Sequence, residues 1–283
     1  IERNTPVSSA NQKNILHPVG YRNLLSEVRR FSPDAIITYL FHADMIGRLF
    51  LRQKMTVPIV PFLRTTYNHP RYWIARTLEK FTKRLVPVYL ANSEAVKNFY
   101  VSTIGVKPEE IIVIPNGIDT KYFDTLVPDP ELRRSLNASP DDFIIISVAN
   151  LHPNKGHRYL LEAFETIYRH QQTSPERILS AKIKLLLVGD GTERRNLEQQ
   201  IENYRSKKNI SFIGRRTDVP QLLKISDCFI LPTLFGGMSN AIMEGMAASL
   251  PVITTDIPEN RELIENMKTG ILVPTKDSGK ISG

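Results

Sequence analysis

Short, nearly uninterrupted Val/Ile/Leu runs alternate with helix-patterned stretches along almost the whole chain. Residues 34–40, 57–63, 87–91, 111–115, 143–149, 183–188, 210–213, 228–231 and 251–255 read as strands. Most are apolar at nearly every position, as expected of strands buried on both faces. Residues 43–52, 72–83, 94–104, 158–170, 193–202, 218–225 and 241–248 read as helices, with Ser93 a suitable N-cap before Glu94. Strand–helix alternation of this kind predicts an α/β fold with parallel, doubly wound sheets. A boundary falls near 116–141, where Asn116-Gly117 signals a turn and Val127-Pro-Asp-Pro-Glu and Ala138-Ser-Pro-Asp-Asp resemble linker sequence. The expectation is two Rossmann-like lobes facing a cleft, 1–136 and 137–283, with a linker over 116–141 across their junction. Ligands of such sheets bind beyond the carboxyl ends of the strands.

The 283 residues suffice for two ordinary domains. No apolar run is long enough to span a bilayer, and residues 1–20 are polar, without the apolar core of a secretory signal. Cys228 is the sole cysteine and sits in an apolar strand pattern, so it reads as core, and a reducing compartment fits. The expected location is cytoplasmic, peripheral on the inner membrane face. Charge is distributed unevenly. Residues 1–100 hold 15 Lys and Arg against 6 Asp and Glu, whereas residues 101–283 hold 22 against 23. A basic first third suits an anionic partner, either nucleic acid or a membrane surface. No recognisable nucleic-acid module accompanies the charge, and no nucleic-acid partner is expected.

Three segments of the second lobe fall at strand ends. In Phe229-Ile-Leu-Pro-Thr-Leu-Phe-Gly-Gly-Met-Ser-Asn-Ala-Ile-Met-Glu244 an apolar strand runs through a Gly-rich turn into a helix. The free amides of that helix start suit an anion, and Glu244 follows within the helix. In Asn150-Leu-His-Pro-Asn-Lys155-Gly156 a lysine beside a glycine just ahead of a helix can reach a phosphate. By itself Lys155 reads as a solvated surface lysine. Gly189-Asp190-Gly191 ends a strand and opens a helix, which alone is as well explained as a turn.

Taken together, with Ile114-Pro-Asn-Gly-Ile-Asp119 followed by Phe123, Phe212-Ile-Gly214, Asp227-Cys-Phe-Ile-Leu-Pro232, Pro251-Val-Ile, Glu262-Leu-Ile and Thr269-Gly-Ile-Leu-Val, these segments resemble, in order, the family 4 retaining glycosyltransferases of the GT-B fold. The resemblance covers about residues 33–274. It implies transfer of a sugar from a UDP- or GDP-sugar to a glycan or lipid-linked acceptor, with the anomeric configuration retained, as in polysaccharide or lipopolysaccharide biosynthesis. It implies no cofactor besides the donor substrate. By the resemblance, Lys155 holds the diphosphate, Glu244 binds the ribose hydroxyls, Gly214 and Arg215 line the base, Met238, Ser239 and Asn240 give N–H groups to the phosphate at the helix start, and Gly236 and Gly237 belong to the substrate site, Gly236 where relatives contact the donor sugar. Asn150, Gly189 and Gly191 belong to the same substrate site, and His42 and Arg64 to the acceptor side. A fixed cation and a helix N-terminus stabilise the charge that develops on a leaving diphosphate, so no metal is required. The absence of an Asp-x-Asp pair and of a His cluster fits that expectation.

The chain departs from the family pattern at several positions. Relatives carry two Glu separated by seven residues; the second is Glu244, and Gly236 stands where the first would be. Loss of that carboxylate predicts slow transfer or altered donor choice. Ser249 replaces a Gly after the helix, Asn150 stands in place of an Arg, and Arg64 in place of a first-lobe His; His42 and Asp44 lie in Leu40-Phe-His-Ala-Asp44. His42 can be read as structural or as part of the site. The first strand and Gly-rich loop of the first lobe and the closing helices of the second are not found, so the first lobe is expected to be incomplete.

Residues 71–85 combine Tyr72, Trp73, Ile74, Leu78, Phe81 and Leu85 with Arg71, Arg76, Lys80, Lys83 and Arg84. Such a helix can pack its apolar face on the sheet or lie on an anionic membrane. Two rival functions remain: a GT-B-fold sugar-nucleotide epimerase, for which no acid/base pair is evident, and a non-catalytic sugar-nucleotide-binding protein, which Gly236 favours. No strand is followed by Gly-x-Gly-x-x-Gly, which argues against a nicotinamide dehydrogenase.

Overall fold

The computed structural model describes residue 7 and residues 18–67, 69–173 and 182–283. It divides into two compact units, Ile1–Pro115 and Asn116–Gly283.

The first unit runs α1 (Pro18–Phe31), β1 (Ile36–Tyr39), α2 (Phe41–Ile46), α3 (Arg52–Lys54), β2 (Ile59–Leu63), α4 (Trp73–Thr82), β3 (Tyr89–Ala91), α5 (Glu94–Phe99) and β4 (Ile111–Val113). The four strands form a parallel sheet in sequential order. Tyr89 and Ala91 of β3 are fully buried and Leu90 half-buried, whereas Ile37 and Tyr39 of the edge strand β1 are exposed. The main core gathers Leu63, Val86, Tyr89, Val96, Tyr100, Ile104 and Ile111. The Ser93 hydroxyl accepts from the Val96 amide and caps α5, as the sequence predicts.

The second unit runs α6 (Thr120–Asp124), α7 (Pro130–Ser135), β5 (Phe143–Val148), α8 (His157–Thr173), β6 (Ile183–Val188), α9 (Arg194–Gln200), β7 (Ile210–Gly214), α10 (Val219–Lys224), β8 (Cys228–Leu231), α11 (Asn240–Ala247), β9 (Val252–Thr255), α12 (Pro258–Arg261), β10 (Ile271–Val273) and α13 (Ser278–Ser282). Its six parallel strands lie in the order β10-β9-β8-β5-β6-β7. From β5 the chain winds outward through β6 and β7, then returns to place β8 on the other side of β5. That reversal is a topological switch point, where two loops diverge and leave a crevice beyond the strand ends. Apolar clusters fill both faces of the sheet, one under α8 and one under α10 and α11. Buried Cys228 belongs to the first of these, and desolvation pushes its thiol up to about 12.

All nine strand readings have counterparts. β10 was not read as a strand; it has three residues and only Val273 is buried. The segment 116–141 is more ordered than its linker-like composition suggests. Asp129 caps α7 with Pro130 at its first position, where the missing N–H costs nothing, and Phe123 and Ala138 join the second unit's core. Ser249 takes the left-handed conformation at φ 64° just after α11. Its amide donates to the Met246 carbonyl and that of Leu250 to Gly245, so the helix ends in a Schellman turn built without the usual glycine.

Helix α4 differs most from the simple packing expectation. Its buried residues are Glu79 and Thr82, while Trp73, Ile74, Leu78 and Phe81 are exposed. The reason lies beneath it, in the buried Arg48. The guanidinium pairs with Asp44 and, at 2.7 Å, with Glu79, and donates to the Thr82 hydroxyl at 3.0 Å. The polar face of α4 is therefore turned inward. The side chain of Arg71 lies outside the described residues.

Candidate active site at the switch point

Two loops meet at the β5/β8 switch. After β5 the chain passes exposed Asn150 and makes a short turn of 3₁₀ helix, Pro153–Lys155, before α8. After β8 it runs through Pro232 to Asn240, where α11 begins. The Leu234 amide donates to the Asn154 carbonyl at 2.7 Å, and Asn154 Nδ2 donates to the Phe235 carbonyl at 3.2 Å. Gly156 adopts φ 69°, and a Cβ there would fall 2.1 Å from the Pro232 carbonyl oxygen. Only glycine allows the two loops to approach this closely, which fixes Lys155 beside the β8 exit.

Lys155 is half-buried and its ammonium has no hydrogen-bond or ion-pair partner among the described residues. Desolvation lowers its pKa from the ordinary lysine value. An unpaired cation held partly out of water is poorly solvated and gains most from an arriving anion. His157, the first residue of α8, is 2% exposed, and neither ring nitrogen has a hydrogen-bond partner among the described residues. Desolvation first, and Lys155 second, push its pKa down to about 4, so the imidazole is neutral near pH 7.

Helix α11 begins where the second loop ends. The Ser239 hydroxyl caps it by accepting from the Ile242 amide, and its first amides, Asn240 and Ala241, have no carbonyl within the helix to bond. Asn116 Nδ2 donates to Asn240 Oδ1 at 2.8 Å and to the Met238 carbonyl at 3.3 Å, tying the start of the second unit to this helix entrance. The Glu244 carboxylate, one turn further on, is half-buried and unpaired among the described residues, and burial raises its pKa. Gly236 is buried in the same loop. A Cβ there would meet only Thr233 Cγ2, at 3.8 Å, so space for a side chain exists.

The other predicted second-lobe residues lie at neighbouring strand ends. Gly189, at φ 133°, puts its α-carbon where a Cβ would be 2.0 Å from the Ala149 carbonyl oxygen, and its amide donates to the Gly214 carbonyl at 2.8 Å. Gly191 packs against Leu151, and Arg215 is exposed just past β7. The glycines of this turn are thus explained by backbone packing that aligns the β5, β6 and β7 ends. Lys155, Asn150, Gly189, Gly191, Gly214, Arg215, Gly236, Gly237, Met238, Ser239, Asn240 and Glu244 all belong to the carboxyl end of one sheet. His42 and Arg64 lie at the carboxyl ends of β1 and β2 in the first unit. Both are exposed; the His42 ring meets Phe41 and the Arg64 guanidinium lies 5.8 Å from the Phe62 ring centre.

Sequence reasoning missed two contributors. In the sequence Asn116 is a turn signal and part of the Ile114–Asp119 motif, and nothing in its neighbourhood announces a partner 122 residues away. His157 falls between the Lys155-Gly156 segment and the helix expected over 158–170, and its isolation arises from tertiary burial. Among the described residues no three His, Cys, Asp or Glu side chains group as metal ligands.

Comparison with known proteins follows the same division. The Glycosyl transferases group 1 family matches residues 128–282, and Glycosyltransferase Family 4 matches residues 2–122. The chain is 31% identical over 208 residues to the UDP-Gal:alpha-D-GlcNAc-diphosphoundecaprenol alpha-1,3-galactosyltransferase of Escherichia coli, covering 72% of this chain and 51% of that protein. It is 24% identical to the alpha-monoglucosyldiacylglycerol synthase of Acholeplasma laidlawii, covering 88% and 65%. The chain thus spans between about half and two thirds of these relatives. Among solved structures it superimposes on Anabaena HepE in complex with UDP-glucose with a TM-score of 0.76 at 23% identity, over 94% of this chain and 72% of that one. Sucrose-phosphate synthase from Thermosynechococcus elongatus gives a TM-score of 0.77 at 19% identity, over 94% and 66%. With more than half its length matched by the group 1 profile and both parallel sheets matching GT-B structures, the chain belongs to the family 4 glycosyltransferases of the GT-B fold.

Proposed function

We infer that the protein transfers a sugar from a nucleoside-diphosphate sugar to a glycan or lipid-linked acceptor, retaining the anomeric configuration and using no metal. One observation carries this reading: a partly desolvated ammonium, Lys155, without a partner among the described residues and held against the loop that leads from β8 into α11 at the switch point. A diphosphate supplies what the ammonium and the first α11 amides lack. As the bond from the anomeric carbon to the diphosphate breaks, negative charge grows on the leaving group and positive charge on the sugar. Lys155 and the first α11 amides strengthen their hold as that charge develops, which lowers the barrier. Glu244 accepts hydrogen bonds from the ribose hydroxyls, and Gly214 and Arg215 border the base. Neutral His157 adds no second cation to the crevice at pH 7. A UDP-sugar is the first donor to test, since the name of the E. coli relative specifies UDP-Gal and HepE binds UDP-glucose.

A second reading, binding of a sugar nucleotide without turnover, is supported by Gly236, which leaves the crevice one carboxylate short. Thermal stabilisation by a panel of UDP- and GDP-sugars, followed by product analysis with and without acceptor lipid or glycan, separates the cases. Transfer of label to acceptor supports the enzyme. Stabilisation without products supports the binding protein, and sugar isomerisation without acceptor supports an epimerase. Failure of every nucleotide sugar to stabilise the chain overturns the donor site itself.

A further inference from the structure

In the second unit, the buried side-chain polar atoms without a hydrogen-bond partner among the described residues are Ser147 Oγ, both ring nitrogens of His157 and Thr233 Oγ1. A polar atom withdrawn from water and left unbonded is a cost, and native chains carry few of them. Here they all lie at the end of the sheet that carries the crevice. Ser147 is next to last in β5, His157 opens α8 and Thr233 follows shortly after β8. At the opposite end the buried groups are bonded: Asp142 accepts from the Ser139 amide and hydroxyl, and the Ser226 hydroxyl donates to the Leu222 carbonyl.

Helical spacing fixes where His157 points. Leu160, Leu161 and Phe164 belong to the core between α8 and the sheet, and His157 shares their side of the helix. Ile145 belongs to the same core, whereas Ile144 and Ile146 belong to the other, so Ser147 also faces α8. The imidazole is therefore inside the fold, next to the turn that carries Lys155. Gly156, locked against the Pro232 carbonyl, fixes the spacing between the two residues.

Lys155 is the charged group that acts on His157. Strands β5 and β8 beneath α8 carry no charged side chain. Lys184 of β6 pairs with Asp142, and Asp190 accepts from the Gly191 amide. On α8 itself Arg158 pairs with Glu162, and Glu165 is held by Arg169 and Ser206. Beside α9, Arg194 pairs with Glu198, Glu193 accepts from Asn196, and Arg195 is exposed, as is Lys280 of α13. Desolvation and the Lys155 ammonium together keep the ligand-free imidazole neutral.

A diphosphate reverses the sign of that environment. It neutralises Lys155 and leaves net negative charge beside a buried neutral base, which favours the protonated form of that base. We propose that, in mildly acidic solution, His157 takes up a proton when the diphosphate binds and so becomes a second, ligand-dependent cation of the donor site. The proton comes from solvent and adds to a ring nitrogen, and no bond of the donor breaks. The Ser147 hydroxyl, on the same side of the sheet, has the lone pairs to accept from the new N–H. At 2% exposure the imidazole is too buried to touch the ligand, so His157 is a positioning residue that acts through Lys155 and the local field. The inference rests on the diphosphate reading of the crevice and adds a proton linkage to it: the donor is held more tightly as pH falls through the ordinary imidazole range.

The test is titration calorimetry of the full chain with UDP-glucose and with GDP-mannose, at about pH 7.5 and about pH 5.5, each in two buffers of different protonation enthalpy. Neither ligand has a group that titrates between these values, so any proton taken up goes to the protein. The expected result is close to one proton per ligand at the lower pH and little at the higher. Affinity should be about tenfold greater at the lower pH as the bound imidazole regains its ordinary basicity. His157→Asn should abolish both the uptake and the pH gain. Binding without proton uptake at the lower pH overturns the proposal on the unmodified chain, whether or not the variant folds. Uptake that persists in His157→Asn assigns the proton to another group, such as Lys155, and overturns it as well. If neither nucleotide sugar binds at either pH, the donor reading falls and this inference with it; binding without uptake removes the inference alone.

Discussion

Arg48 in the first unit and Lys155 in the second are both cations withdrawn from water, and the chain treats them in opposite ways. Arg48 is saturated by Asp44, Glu79 and Thr82, all from its own unit. Among the described residues Lys155 has no hydrogen-bond or ion-pair partner, and its neighbour His157 is buried with neither ring nitrogen hydrogen-bonded. A saturated buried charge holds structure in place, because removing one partner strands the others. An unsaturated one is a standing cost, which a ligand of opposite charge removes. The difference separates a cluster that orients α4 from one that, on the proposed reading, receives an anion.

The comparison is broken most severely at Arg48. Arg48→Met should destabilise the first unit by about 3–5 kcal/mol by stranding two carboxylates, while nucleotide-sugar binding in the second unit persists. Chemical denaturation followed by peptide-resolved hydrogen exchange reads both units at once. A loss below about 1 kcal/mol would show that the cluster is not structural.

Next in size is an opposite response to pH. Burial, opposed by Arg48, raises Glu79 to about 7. Its stabilising contribution is complete below the ordinary carboxylate value and is lost as pH rises through about 7. His157 is shifted the other way, to about 4. Its contribution is complete above the ordinary imidazole value and is lost as pH falls through about 4, by up to about 3 kcal/mol. Lowering pH from 7 to 4 should therefore strengthen the first unit's protection from exchange and weaken the second's. His157→Asn should remove the second trend. Parallel behaviour of the two units would refute the contrast.

Lys155→Ala tests the unsaturated side directly. Nucleotide-sugar affinity should fall roughly 10- to 100-fold, the worth of a charge-assisted hydrogen bond of about 1.5–3 kcal/mol, while ligand-free stability holds or rises. A drop in ligand-free stability would mean that Lys155 is structural, like Arg48.

Gly236→Glu sharpens the comparison by completing the crevice. The Cβ fits, and transfer or donor hydrolysis should rise about tenfold if the missing carboxylate limits turnover. Unchanged rates would assign the slow step elsewhere. The smallest expected effect is Ser249→Gly, which should stabilise the second unit by about 1 kcal/mol by relieving a left-handed serine. Thermal melting checks it, and an unchanged midpoint would argue against strain there.

Much of this was legible in the residues. Continuous apolar runs located nine strands, since a strand covered on both faces leaves no polar position to confuse the reading. Gly156 and Gly189 were visible as glycines at strand ends, but only the carbonyls of Pro232 and Ala149 give the reason for them. The helix α7 was hidden because Pro and Asp mark both linkers and helix starts. The outward face of α4 could not be chosen from sequence, because an amphipathic pattern names two faces without saying which one the sheet takes.

The sequence by itself determined the alternation of strands and helices, the family resemblance and the place of Lys155 between a strand and a helix, because periodicity and local turn chemistry are encoded within a few neighbouring residues. Only the tertiary structure decided that Asn116 holds the entrance of α11, that His157 is isolated and that Arg48 draws the polar side of α4 inward. These depend on desolvation and on partners distant along the chain, and neither quantity exists until the backbone has folded.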